Sequence, residues 1–257
     1  AIRRQRQMCI RDRSFTADYI ISTDVAADSL LAPNMEKYLG KIDICIDHHG
    51  SNSVTAKEKF VDKYAAANCE IIYKLLMRMG VNFTKQIVDC LYTGISTDTG
   101  CFRYTNTTAD TFRIAASLVE LGCNSAYINK VMFETKSKEK IMLEREVYDT
   151  ITYCANEKCA IVWVTLDMLK SLNIGEDEIE GLASIPRQIE GVLIGITMKE
   201  KEGGFFKISV RTNGNIDAAK FCSRFGGGGH KAAAGCSVNG SLEDVRSQLI
   251  KAAEETL

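Results

Sequence analysis

Two α/β domains in series, the first built on a parallel sheet, are what this sequence predicts. Three observations carry that expectation. Two apolar strands in the first half each end abruptly in a hydrophilic residue. Helical patterns follow them, and a second alternation of strands and helices begins near residue 150. Continuous apolar strands separated by helical segments suit a parallel sheet covered on both faces.

The elements follow in order. Asp18 to Thr23 reads as a buried strand ending at Asp24, and Lys41 to Ile46 as a second ending at Asp47. Between Ala66 and Met79, Ile71, Ile72, Leu75, Leu76 and Met79 repeat at helical spacing, with Gly80 as a stop. Thr84 caps a helix with Ile87, Val88 and Leu91 inward, which is expected to run into a loop of small and polar residues from Gly94 to Gly100. Thr108 to Leu121 is a further amphipathic helix ended by Gly122. Residues 125–148 are charged and helical in pattern and read as a connector between a first domain at 14–124 and a second at 149–257. In the second domain Cys159 to Thr165 is a strand, Glu178 to Glu190 a helix, and Val192 to Met198 with Phe205 to Val210 a hairpin. Ile216 to Phe225 is helical, stopped by Gly226, and Ser241 caps the last helix with Asp244 three residues on.

Composition narrows the classes. The 257 residues are 46% hydrophobic and 25% charged, which suits an ordinary globular core. A net charge of −1 argues against a surface for long duplex nucleic acid, while leaving room for a short phosphorylated ligand. No apolar run approaches the ~20 residues of a membrane span, and no secretory signal opens the chain, so no membrane partner and a cytoplasmic location are expected. The ten cysteines are scattered without a CxxC pair, and Cys45, Cys69 and Cys90 lie in apolar runs, as reduced buried thiols would. Residues 1–13 are basic and aperiodic, and Gln7 to Arg13 resembles a translated transposon end used in sequencing libraries. An artefactual or disordered tail replacing upstream sequence is the expectation.

Chemistry concentrates in two places. The chain has three histidines, and two of them, His48 and His49, follow Asp47 at the end of a strand. In open α/β sheets ligands bind outside the carboxyl ends of the strands. Asp24, Asp47, His48, His49 and Asp98 all fall at strand ends or in the loops beyond them, so they are expected to converge. Carboxylates with imidazole suit Mn²⁺ or another first-row divalent ion, and a pair of ions can activate water for phosphoryl displacement. A lone loop Asp is commonly a cap or turn residue; an adjacent His-His pair at a strand end is harder to explain that way. The third histidine, His230, follows Gly226 to Gly229. Glycines can present N–H groups to an anion, or simply form a flexible loop. Arg211 ends a strand upstream and offers either a bidentate phosphate contact or a solvated guanidinium.

These residues carry a resemblance. Ile46 to Asn52 (IDHHGSN) resembles the signature of the DHH phosphoesterase superfamily. Asp98 to Phe102 followed by Asn106 to Thr108 resembles its fourth motif, and Asp24 the aspartate of its second. Arg211 and Phe225 to Gly235 (FGGGGHKAAAG) resemble the DHHA1 domain that accompanies it. The resemblance implies a parallel-sheet DHH domain plus a smaller α/β DHHA1 domain with a cleft between them. It implies a Mn²⁺-dependent hydrolase of short oligoribonucleotides and of the 3′-phosphate of pAp, with two ions and with Mg²⁺ or Co²⁺ as substitutes. Asp24 would bridge the ions, His48 and Asp98 would hold the second, and Asp47 and His49 would serve catalysis. Arg211, Gly227, Gly228, Gly229 and His230 would grip the other end of the substrate, in a monomer or a homodimer. Cleavage of cyclic di-AMP or a linear dinucleotide is the neighbouring reading. The family's first motif, a histidine with two aspartates around a DGD core, is absent from these residues, so weak activity, or a nucleotide-binding module without catalysis, is the reading from another class.

Overall fold

The computed structural model describes residues 17–31, 33–175, 179 and 181–257; the basic tail at 1–13 lies outside them. The chain divides into two compact units, Ala1–Thr135 and Lys136–Leu257. Among the described residues no helix is long and apolar enough to cross a membrane.

The first unit holds a three-stranded parallel sheet in the order β1 (Ile21–Thr23), β2 (Ile42–Asp47), β3 (Ala56–Val61). The first strand is shorter than its apolar run suggests, and Asp24 leaves it with φ +60, a left-handed conformation that a short polar side chain tolerates. The middle strand runs one residue further than expected, carrying Asp47 into the sheet. The third strand is hidden in the sequence, because Lys57, Glu58 and Lys59 break any alternation; charge of that kind suits a sheet edge. Cover on both faces is not realised by the described residues: Ile21 and Ile44, opposed across β1 and β2, remain exposed.

Three helices follow, α1 (Asn68–Arg78), α2 (Lys85–Asp98) and α3 (Ala109–Glu120). Thr84 caps the second through its hydroxyl, as the pattern predicts, and Thr108, read as the first residue of the third, is its cap instead. Val88, Leu91, Ile95, Ile114 and Leu118 form their shared core. The expected loop at Gly94–Gly100 is instead helical as far as Asp98. Thr93 and Thr97 fold their hydroxyls back onto carbonyls one turn earlier, and Gly94 lies against Cys69, whose Sγ would be 2.2 Å from an added Cβ. Composition there reads as loop, while close helix packing is what the glycine serves. Cys90, expected inside, is exposed on α2.

Residues 125–148 belong to both units. Helix α4 (Ser125–Asn129) and one π-helical turn (Lys130–Glu134) close the first, with Asn129 accepting from Ser96 Oγ at 2.7 Å. Helix α5 (Lys138–Asp149) opens the second, burying Leu143 and Val147 in its core.

The second unit is built on a six-stranded sheet in the order β4 (Thr152–Cys154), β5 (Cys159–Val164), β6 (Ile194–Lys201), β7 (Phe205–Thr212), β9 (Ala233–Asn239), β8 (Gly228–His230). Among the described residues of this sheet, only β5 and β6 pair in parallel. Side chains alternate across it. Cys159 and Ile161 pack with Phe221, Val245 and Leu249 of helices α7 (Ala218–Ser223) and α8 (Leu242–Glu254), while Val162 and Val164 pack with α5 and α6 (Leu166–Ser171). The helix expected from Glu178 to Glu190 is not formed. Its residues 178 and 180 lie outside the described set, and the remainder makes two 3₁₀ turns, Leu182–Ser184 and Pro186–Gln188. Pro186 supplies no amide to an α-helical ladder, and Gly181 (φ +91) breaks it upstream. The glycine run is likewise not a free loop: Gly226 (φ +70) ends α7, and Gly228 onward is edge strand β8.

Candidate active site

Parallel pairing places the ends of β1 and β2 side by side, Thr23 opposite Ile46, and the Asp24 N–H donates to the Ile46 carbonyl at 3.1 Å. Asp47, the last residue of β2, is fully buried. Its Oδ1 accepts from the His48 N–H and from His49 Nδ1, both at 2.8 Å, and its Oδ2 accepts from Asn52 Nδ2 at 2.6 Å. Burial pushes this carboxyl up, but the bonds from Asn52, His49 and the backbone outweigh it and hold it below the ordinary range. Both oxygens are therefore committed to holding the His48–Asn52 turn.

His48 points the other way. Its Nδ1 lies 3.2 Å from the Ala65 carbonyl, which can only accept, so that nitrogen carries the proton. Nε2 is left 3.5 Å from Asp24 Oδ1 and 3.8 Å from Asp98 Oδ2. His49 Nδ1 stands 3.9 Å from the same Asp24 oxygen. Asp98 arrives from another element, as the last residue of α2, where the negative end of the helix dipole favours a nearby cation. Asn106 Nδ2 ties that helix end to the start of α1, donating to the Asp98 and Ala66 carbonyls. Burial and the charge of Asp24 push the Asp98 carboxyl up, against the pull of the two imidazoles. The same carboxylates, after burial itself, drive the neighbouring Cys69 thiol up to about 12.

One ligand atom from each of Asp24, Asp47, His48 and His49 lies within 4.8 Å of the others. A histidine with Nδ1 fixed by a carbonyl and Nε2 turned toward carboxylates is the arrangement metal-ligating imidazoles take, and the donor set fits a first-row divalent ion.

The second group forms on the other sheet. Arg211 of β7 and His230 of β8 both pair with Ala233 of β9, so their side chains leave the same face, about 10 Å apart at the backbone by two strand spacings. Glycine makes this edge possible. A Cβ at Gly227 would stand 2.2 Å from the Gly235 carbonyl oxygen, whereas one at Gly228 would meet nothing within 4 Å. A Cβ at Gly229 (φ +147) would likewise press on Ala233 and Ala234. Burial and the nearby Arg187 guanidinium both lower the Arg211 pKa. Gly195, opposite Arg211 on β6, has no room for a Cβ because the Arg187 backbone nitrogen would be 2.8 Å away. Arg211 Nη1 donates to the Val210 carbonyl, and among the described residues neither arginine has a carboxylate partner.

The DHH family N-terminal domain matches residues 2–95, and the DHHA1 domain matches residues 156–257. The chain is a DHH/DHHA1 family member. The bifunctional oligoribonuclease and PAP phosphatase NrnA of Thermus thermophilus is 31% identical over 83% of this chain, and this chain spans 64% of that protein's length. A probable bifunctional oligoribonuclease and PAP phosphatase NrnA of Streptococcus mutans is 26% identical over 89% of this chain and 72% of its own. The crystal structure of an exopolyphosphatase-related protein from Bacteroides fragilis superposes with a TM-score of 0.83 over 93% of this chain and 72% of that one, at 24% identity.

In the first unit all five residues singled out by sequence meet at one place, with Asp98 supplied by a helix end rather than a strand end. In the DHHA1 domain Arg211, His230 and the glycines share one sheet edge. Sequence reasoning missed Arg187, which sat inside a segment read as helix; the Pro186 before it and Gly195 within a strand were the available signals.

Proposed function

We propose that this protein hydrolyses phosphate esters of short nucleotides, namely short oligoribonucleotides and the 3′-phosphate of pAp. The observation that carries the reading is the free Nε2 of His48, set between the carboxylates of Asp24 and Asp98 at a sheet edge. The activities for which the Thermus and Streptococcus relatives are named support the substrate class. Asp24, His48 and Asp98 would hold Mn²⁺, as one ion or a pair. Such ions supply a nucleophile at neutral pH and offset charge on the phosphoryl oxygens.

The chain's own residues do the rest. Asp47 accepts the Nδ1 proton of His49 and so fixes that ring. Held this way, His49 keeps Nε2 for a phosphoryl oxygen of the substrate. Asn52 keeps Asp47 ionised. Arg211, with Arg187 beside it, His230 and the backbone at Gly227, Gly228 and Gly229 bind a second phosphate of the substrate.

The test is release of mononucleotide from a short RNA dinucleotide, and of phosphate from pAp, with Mn²⁺ present. It is run on this chain and on one with a DGD-containing segment joined upstream. Turnover that disappears with His48→Ala is the expected result for the longer chain. If neither chain acts on dinucleotide, pAp or cyclic dinucleotide, the reading fails.

A further inference from the structure

A pocket of about 430 Å³ lies beside the candidate centre, lined by Gly50, Phe60, Val61, Asp62, Lys63 and Tyr64. Its wall is bonded to the strand that carries the site. Phe60 and Val61 pair with Ile46 and Asp47, the Asp62 N–H donates to the Asp47 carbonyl at 3.0 Å, and the Ala65 carbonyl receives His48. Residues 60–65 thus run along the end of β2, one strand from His48. Gly50 follows His49 directly, and a Cβ there would press on Lys63 at 3.3 Å, so bare backbone closes the pocket on the side of the imidazoles.

The lining has an unusual character for a surface turn. Phe60 is 61% exposed and Tyr64 78%. A single exposed aromatic carries no message, but two of them line one pocket next to residues assigned to phosphate. Lys63 holds its Nζ 5.2 Å over the Tyr64 ring, a cation placed to meet a phosphate that runs past the ring. Asp62 accepts from the Tyr64 N–H at 3.0 Å and stiffens the turn; its charge disfavours a phosphate inside the pocket itself. Aromatic faces with an adjacent cation are how proteins hold single-stranded nucleotides without reading their sequence, and the volume suits one nucleoside.

We infer that this pocket is a nucleobase subsite: Phe60 and Tyr64 stack the base of the nucleotide whose phosphate reaches the His48–His49 centre, and Lys63 neutralises its phosphate. The inference rests on the nucleotide reading above, and it adds a site for the base and little discrimination among bases.

Binding without turnover separates the two. Adenosine 5′-monophosphate and ribose 5-phosphate are titrated calorimetrically into the chain and into Phe60→Ala/Tyr64→Ala. The wild type is expected to bind the nucleotide about 10-fold more tightly than the sugar phosphate, and the double variant to bind both alike with its melting temperature unchanged. Equal binding of the two ligands by the wild type, no binding of either, or a preference that survives the double substitution overturns the subsite. Discrimination by a protein that hydrolyses none of the substrates named above keeps the subsite and sinks only the hydrolytic reading.

Discussion

The two units assemble their polar groups by opposite routes. In the first, Asp24, His48 and Asp98 come from two strand ends and a helix end, and only the packing of α2 against α1 brings the third to the other two. In the second, Arg211 and His230 share one sheet face through strand register alone, both opposite Ala233. The first cluster is rich in carboxylates, and burial together with the charge of Asp24 raises the proton affinity of Asp98, which a cation relieves. The second is positive, and burial beside another guanidinium lowers the proton affinity of Arg211, which an anion relieves. Each site carries the strain that its proposed ligand removes, so the two should respond independently to different additives.

The sharpest way to break this comparison is Mn²⁺ titration by calorimetry. His48→Ala is expected to weaken Mn²⁺ binding by more than about 100-fold, while Arg211→Ala leaves it unchanged. An equal loss in both would mean the clusters do not act separately.

Next in size is Asn52→Leu. It removes the amide that holds Asp47 Oδ2 and leaves a buried carboxylate short of a partner, for an expected loss of about 2–3 kcal/mol in urea unfolding at pH 7. The sign with pH follows from the lowered Asp47 pKa. In the wild type this group contributes stability above its unfolded pKa, and that contribution disappears as pH falls through the folded value. The deficit of the variant should therefore shrink on acidification, and a constant deficit would remove the carboxylate from the explanation.

In the second unit Gly227→Ala drives a methyl into the Gly235 carbonyl and should cost about 2 kcal/mol by the same measurement. Arg187→Ala, which spares the sheet, is expected to weaken pAp binding about 10-fold without moving Mn²⁺ affinity. Gly228→Ala should be the smallest change, within about 0.5 kcal/mol, because space is open above it; a large loss there would point to an N–H cradle that needs bare backbone.

Much of this was legible from the chain before folding. The central strand, the caps at Thr84 and Ser241, the 194–212 hairpin and most residues of both clusters follow from local pattern, because side-chain period and cap chemistry act over a few residues. Strand β3 was not legible, since an edge strand needs no alternation, and the end of α2 was misread because small polar residues describe a loop and a tight helix contact equally well. Arg187 escaped for a related reason: it comes near Arg211 only through a turn pressed onto Gly195.

The sequence by itself determined which residues could do chemistry here, two imidazoles and a carboxylate at a strand end and a glycine run before a third imidazole. Tertiary structure alone decided their division of labour. Asp47 and Asp24 are the same residue type at neighbouring strand ends, yet one is buried with both oxygens occupied and the other is exposed toward His48. Hydrogen-bond saturation and solvent access are properties of the packed neighbourhood, so only the fold could leave one carboxylate occupied and the other open toward an imidazole.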